Sequence, residues 1–165
     1  MNLFILDMDP VLSAQMHCDK HVVKMILEGH ILLRSALHLN DPTLQSYGWL
    51  HHPATVWTAR TRENYLWVAD HTIALCEEYT FRYDKIHSNA ALIRSAKDLV
   101  SGNYVRLMSV GKTPEHHGVP KDCKEERVWD SYRKYYNKYK WPFAVWTKRE
   151  VPEWFNPIRE LSIHE

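Results

Sequence analysis

Between positions 22 and 37 the apolar residues Val22, Val23, Ile26, Leu27, Leu33 and Leu37 recur at the three- and four-residue spacing of one helix face, uninterrupted by proline. The pattern predicts a long helix that ends near Leu39-Asn40-Asp41-Pro42. A helix with one apolar stripe must bury it against other elements, and the chain supplies further helices to do so. Asp9-Pro10 reads as an N-cap followed by proline at the first helical position, and Cys18-Asp19 would cap the long helix. Pro53 opens a third segment, apolar through Val56, Trp57, Tyr65, Leu66, Val68, Ile73, Leu75, Cys76 and Tyr79, with a kink expected near Thr61. Ser88 is the expected cap for residues 89–101, with Ala91, Leu92, Ala96 and Leu99 on its buried face and Gly102 as its stop. Residues 126–140 return to helical character until Trp141-Pro142 ends it.

Only 5 glycines occur in 165 residues, which argues against a turn-rich sandwich or barrel. The expected fold is therefore mainly α: a single compact helical domain over residues 1–165, with a long irregular connection and an extended C-terminal tail. The connection is placed at residues 102–125, with Pro114, Pro120 and His116-His117, and the tail carries Pro152 and Pro157. Residues 3–6 are a strand or a buried extended segment. A chain of this size buries roughly two thirds of its unfolded surface, so neither disulfides nor a structural metal are needed. Cys18, Cys76 and Cys123 are odd in number and far apart, which fits a reducing compartment. No apolar run approaches the roughly 18 residues of a membrane span, and no basic leader stands at the head of the chain, so a cytoplasmic monomer is expected.

The net charge of +1 gives no global reason for a polyanionic partner. Residues 131–149, however, carry six cations and no acid: Arg133, Lys134, Lys138, Lys140, Lys148 and Arg149. Seven aromatic residues are interleaved with them, among them Tyr135, Tyr136 and Trp146. Cations that meet phosphates and rings that stack on bases suit nucleic acid, and an amphipathic helix with half-buried tyrosines and solvated lysines is the alternative. A second cluster, His17-Cys18-Asp19-Lys20-His21, stands at the head of the long helix, with Lys24 one turn on. Unpaired N–H groups there favour an anion, and a carboxylate beside amines suits acid/base or nucleophilic chemistry. The alternative is that Asp19 caps the helix and the histidines pack. His17, Cys18 and His21 carry metal-binding atoms but lack a paired ligand motif, so no metal and no cofactor is expected. Arg60 and Arg62, on the third segment, could reach a phosphate. No Gly-rich phosphate loop, dinucleotide fingerprint or nucleophile elbow is present.

From Leu6-Asp7-Met8-Asp9-Pro10 through His17-Cys18-Asp19-Lys20-His21-Val22-Val23-Lys24-Met25-Ile26-Leu27-Glu28 the chain resembles a group of small phage proteins of unestablished function. The resemblance continues through His52-Pro53, Glu78-Tyr79-Thr80-Phe81-Arg82-Tyr83 and Trp146-Thr147-Lys148-Arg149-Glu150-Val151-Pro152-Glu153-Trp154-Phe155. More remotely, the order of features is similar to the pyrimidine-dimer DNA glycosylases, which take a nucleotide out of the stack and cleave its glycosidic bond. Asp19 at the head of the early helix, Tyr47 and His52-Pro53, the stretch from Tyr79 to Ile86, and Tyr135-Tyr136 carry that similarity.

The family uses a processed N-terminal amine and a glutamate. Here Met1 precedes bulky Asn2 and is expected to be retained, and the acid is taken as Asp19. Met1, Lys20 or Lys24 would then supply an amine, or Asp19 would activate water without lyase activity. The resemblance implies a DNA glycosylase-like enzyme acting on a damaged or modified base, with or without abasic-site lyase activity. Its catalytic candidates are Asp19, Lys20, Lys24 and His21, and DNA would be held by His17, His52, Arg60, Arg62, Lys134, Tyr135, Tyr136, Lys138, Trp146 and Lys148. A non-catalytic module that binds nucleic acid or a host protein, and a metal-dependent hydrolase, are the alternatives. On the enzymatic reading, Asp19→Asn is expected to fold normally, because Asn caps a helix about as well as Asp, and to lose activity.

Overall fold

The structure is a computed structural model and describes residues 2–163. Helix α1 (Pro10–Met16) begins where the Asp9 carboxylate accepts the N–H groups of Val11 and Leu12, with Pro10 in the first turn. Helix α2 (Asp19–Asn40) follows after two extended residues, His17 and Cys18, and the Cys18 side chain makes no capping bond. The third sequence segment is two helices, α3 (Pro53–Arg60) and α4 (Arg62–Tyr83), because Thr61 is extended and its hydroxyl accepts the Asn64 N–H at 3.1 Å. The kink expected at Thr61 is thus a full break.

Helix α5 (Ala90–Ser101) is preceded by Asn89, not Ser88, at the cap. Its buried stripe is Ile93, Ala96 and Val100, while Leu92 is 46% exposed. Of the expected face Ala96 is buried and Leu99 packs against the core, whereas Ala91 and Leu92 are exposed because neighbouring Ile93 is the residue that meets the core. Gly102 does stop α5, with an ordinary φ of −82°, and the left-handed residue is Asn103. Helix α6 (Val128–Tyr135) continues through a π-helical turn (Tyr136–Lys140) and a 3-10 turn (Trp141–Phe143). The tail then runs extended, pinned by Asn137, which donates to the Trp154 carbonyl and accepts from Asn156 N–H, and it closes in the short α7 (Pro157–Ser162).

The two 22-residue helices α2 and α4 pack on one another, with α1 across α4 and α3 and α5 at the flanks. No strand is present among the described residues. Residues 3–6 are instead an extended, buried thread through the core, with Leu6 fully enclosed. Side chains replace a sheet ladder for its backbone: Leu6 N–H donates to Ser13 Oγ at 3.0 Å, and Leu3 N–H to Asn2 Oδ1 at 2.8 Å. Phe4, in the left-handed region at φ 47°, seats its ring 4.2 Å from His21 and within 6 Å of Tyr132, Tyr135 and Tyr136. The irregular connection carries only a single 3-10 turn (Lys121–Cys123). It is anchored by fully buried Asn64, whose side chain accepts from Thr113 N–H and donates to Thr113 Oγ1. No described helix is long and apolar enough to cross a membrane.

Helix α2 lies tight against α4 at Gly29, where an added Cβ would lie 2.7 Å from Thr72 Cγ2. Thr72 has little freedom to yield, since its hydroxyl donates to the Val68 carbonyl at 2.7 Å. Gly29→Ala should therefore destabilise the protein by about 1–3 kcal/mol through overpacking. Gly29→Ala with Thr72→Ser should recover part of that loss in chemical denaturation; a neutral Gly29→Ala would show that the helices are not in contact there.

Candidate active site

Arg82 sits in the last turn of α4 with its side chain fully shielded from solvent. Nε donates to Glu78 Oε1 at 2.9 Å, Nη1 to Asp19 Oδ1 at 2.9 Å, and Nη2 to the Gln15 carbonyl at 3.0 Å. Glu78 also accepts a forked pair from Arg149, at 2.8 and 3.0 Å. Asp19 accepts in addition from Thr147 N–H (2.9 Å) and Thr147 Oγ1 (2.6 Å). Burial works against its charge, but the Thr147 bonds and the Arg82 guanidinium outweigh it and hold the carboxyl below its ordinary pKa. Asp19 is thus engaged on both oxygens inside the protein.

The two histidines near it also turn inward. His17 is fully buried, with Nδ1 on the Ser13 carbonyl at 2.7 Å, and burial brings its pKa down to about 4. His21 Nδ1 lies 2.6 Å from the Tyr136 hydroxyl; burial first, then the charges of His17, Lys140, Lys24 and Lys20, lower its pKa to about 2. Lys20 lies over the Phe143 ring at 4.7 Å. Among the described residues no three His, Cys, Asp or Glu side chains are arranged to hold a metal ion.

The cationic stripe is spread over several contacts rather than one face. Lys134 pairs with Glu125 at 2.6 Å, Lys138 with Asp122 at 2.7 Å, and Lys148 with Asp84 at 3.1 Å. Arg133 pairs with Asp7 at 3.3 Å, and Lys140 lies over the Tyr135 ring at 4.5 Å. Tyr136 is buried, and Trp146 donates its indole N–H to the Met16 carbonyl. A cleft of about 710 Å³ lies here, lined by Leu12, Gln15, Arg133, Lys148, Arg149 and Trp154 among others. Arg62 donates to the Val100 carbonyl at the end of α5, whereas Arg60 is exposed beside His116 in a shallow cleft of about 430 Å³.

A different group of polar residues meets at the head of the chain. Asn2 N–H donates to Glu28 Oε2 at 2.7 Å, and Lys24 Nζ is 3.5 Å from Glu28 Oε1, one turn back on α2. The Glu28 side chain is 14% exposed and that of Lys24 64%, so the acid is sheltered and the amine reaches outward. Met1, a candidate amine in the sequence, lies outside the described residues. The connection closes over Asn2 through a cycle of hydrogen bonds. Asn2 Nδ2 donates to the Gly118 carbonyl (2.7 Å), Gly118 N–H to Tyr132 Oη (3.0 Å), and Tyr132 O–H to Asn2 Oδ1 (2.6 Å). A Cβ at Gly118 would stand 3.0 Å from both Asn2 Oδ1 and Tyr132 Oη, so glycine is what fits there.

This clasp brings His116 to His52, their rings 6.4 Å apart. His52 caps α3 by accepting Ala54 N–H on Nδ1 at 3.1 Å, which leaves the proton of the neutral ring on Nε2. Burial lowers the pKa of His52, with the Glu28 carboxylate pulling the other way, and burial together with His52 and His117 lowers that of His116. Of the sequence candidates, the structure gathers Lys24 and His52 here and leaves Asp19, Lys20 and His21 at the other end of the α2 head. Glu28 and His116, which also lie here, were not among the sequence candidates. The signal for Glu28 was an acid inside an otherwise apolar helical run, four residues after a lysine.

A family model described as "Pyrimidine dimer DNA glycosylase" matches residues 1–91. The chain belongs to this family. The matched span holds α1 to α4 and therefore Asp19, Lys24, Glu28 and His52, while the clasp residues Gly118 and Tyr132 lie beyond it. No curated protein and no solved structure matches the chain.

The buried histidines generate a pH dependence. His17, His21 and His71 are all held below the ordinary value of 6.5, chiefly by burial. Below about pH 6.5 the unfolded chain binds protons that the folded chain refuses, so stability is complete above that pH and falls towards pH 4. Each histidine adds up to about 1.4 kcal/mol per pH unit to the slope. Urea midpoints measured from pH 7.5 to 4.5 should decline steadily below 6.5; midpoints flat down to pH 5 would contradict the burial of these rings.

Proposed function

We propose that the protein is a DNA glycosylase that opens the glycosidic bond of a damaged or modified base with an amine governed by Glu28. The observation that carries this reading is the Asn2 N–H···Glu28 contact at 2.7 Å with Lys24 at 3.5 Å, inside the span that matches the family. The family's pairing of a chain-head amine with a glutamate finds its counterpart in Glu28 rather than in Asp19, whose oxygens Arg82 and Thr147 occupy.

In this mechanism the amine of Lys24 or Met1, having given its proton to Glu28, attacks the anomeric carbon. The bond to the base breaks, and the base leaves with the electron pair and takes up a proton. The bound nitrogen then passes one proton to the ring oxygen as the bond between the anomeric carbon and that oxygen breaks, which gives a protonated imine joined to the opened sugar, and elimination from it would supply abasic-site lyase activity. Glu28, ionised once the proton it accepted has passed to the departing base, stands where positive charge develops on the sugar, and a carboxylate at that place stabilises the transition state. No cofactor is needed for these steps. DNA would approach over the head of α2 and the His52–His116 side, where Lys24, Arg60 and Lys124 are exposed. The non-catalytic alternative draws little support, since most cations of the stripe it relies on are matched by acids of the same chain.

Glu28→Gln keeps an acceptor for Asn2 N–H and changes the shape little, so it should fold normally. It should nevertheless slow base release by about 100-fold or more, the loss typical of a single electrostatic stabiliser. Asp19→Asn should instead destabilise the fold, because it leaves buried Arg82 short of a countercharge, at a cost of up to about 3–5 kcal/mol. Its activity per folded molecule should stay close to that of the unaltered protein. Single-turnover base release from lesion-bearing duplexes, alongside thermal melting, reads both variants. A fully active Glu28→Gln would remove the reaction centre from the head of the chain.

A further inference from the structure

The loop between α2 and α3 places two successive residues in the left-handed region, Gly48 at φ 84° and Trp49 at φ 56°. Glycine adopts that conformation without strain, but a bulky residue does not, so tryptophan at the second position is an outlier that the surroundings must enforce. They do so from both sides. Buried Ser35 donates its hydroxyl to the Gly48 carbonyl at 2.6 Å, and His52 N–H donates to the Trp49 carbonyl at 3.1 Å. The strain is not repaid by packing, since Trp49 remains 58% exposed. Its ring neighbour is His52, met edge-on at 6.0 Å, and His52 is the residue that feels the Glu28 carboxylate.

We propose that Trp49 is a stacking platform for a nucleobase at the Glu28 site and that His52 donates its Nε2–H to an acceptor atom of that base. The inference rests on the glycosylase reading and adds to it the element that holds the base. A flat, polarisable ring held out in water by enforced backbone suits the face of a base taken out of its stack. The histidine beside it has Nδ1 committed to Ala54, so it presents a single donor, Nε2–H, outward. Kept neutral by burial, it suits a carbonyl oxygen or ring nitrogen better than a phosphate.

The test uses the full-length chain and duplexes that carry 2-aminopurine beside a tetrahydrofuran abasic-site analogue, read by binding affinity and by 2-aminopurine fluorescence. Trp49→Ala should bind roughly 5- to 150-fold more weakly, the range that loss of one base–aromatic stack gives. It should also lose the fluorescence change seen on binding of the unaltered protein, and Trp49→Phe should retain most of both. Trp49→Gly relieves the backbone and should melt at the same temperature or higher while binding as weakly as Trp49→Ala. His52→Asn keeps the cap on α3 and withdraws the ring Nε2–H, since its shorter amide N–H ends well short of that position, and it should lower affinity for the base-bearing duplex without altering that for a duplex with abasic analogues at both positions.

If Trp49→Ala binds as tightly as the unaltered protein while Glu28→Gln still blocks base release, the platform is overturned and the reaction centre stands. If Trp49→Gly melts several degrees lower, Trp49 is a packing residue and the platform is likewise overturned. If the unaltered protein binds none of these duplexes, the platform and the glycosylase reading fall together.

Discussion

A guanidinium with no access to water must be met on every side by acceptors, and Arg82 imposes that condition on three parts of the chain at once. Glu78 meets it from its own helix, Asp19 from the head of α2, and the Gln15 carbonyl from the end of α1. Because Glu78 and Asp19 are themselves bridged to Arg149 and Thr147, the same charge fastens the C-terminal tail to the helices. The junction of α1, α2, α4 and the tail is therefore an electrostatic joint. Its demand decides what Asp19 does: a carboxylate with its oxygens so committed has little capacity left for a substrate. The acid at the head of the chain is Glu28, nine residues further along α2, about 13 Å at the helical rise per residue.

The helices were legible because their signals are local. Asp9-Pro10 capped α1, the stripe from Val22 to Leu37 gave α2, and Pro53 opened α3, each through chemistry confined to a few neighbouring residues. The site was less legible because its contacts are not local. The hydrogen bonds that engage Asp19 span 63 residues to Arg82 and 128 to Thr147, and no periodicity records them. The burial of His17 and His21 follows from Phe4, Tyr136 and His71 closing around them, again from distant positions. Residues 102–125 were expected to be irregular, and they are, but nothing in that stretch announces that Gly118 will dock on Asn2. On α5 the adjacent apolar pairs Leu92-Ile93 and Leu99-Val100 left the buried face open to misreading, and Ile93 rather than Leu92 meets the core.

The family match and the geometry divide the molecule in the same way. Residues 1–91 hold the helices that carry Lys24, Glu28 and His52. The remainder supplies what closes around them: Tyr132 and Gly118 on Asn2, His116 against His52, and Thr147 on Asp19. The cationic, aromatic stretch at residues 131–149 belongs to this second group. Its tyrosines build the wall around Phe4, and its cations are spent largely on Asp7, Glu78, Asp84, Asp122 and Glu125. A composition that reads as a surface for nucleic acid is here mainly the mortar between the chain head, α1 and the tail.

The central claim is that the chemistry is centred on Glu28, and it is tested most directly by finding where the sugar becomes attached. Borohydride reduction during turnover of a lesion-bearing duplex, followed by proteolysis and mass spectrometry, locates the trapped sugar on the chain. The sugar should be found on Lys24 or on the amine of Met1, and trapping should vanish in Glu28→Gln. A sugar on Lys20, or base release with no trapped product at all, would contradict the assignment.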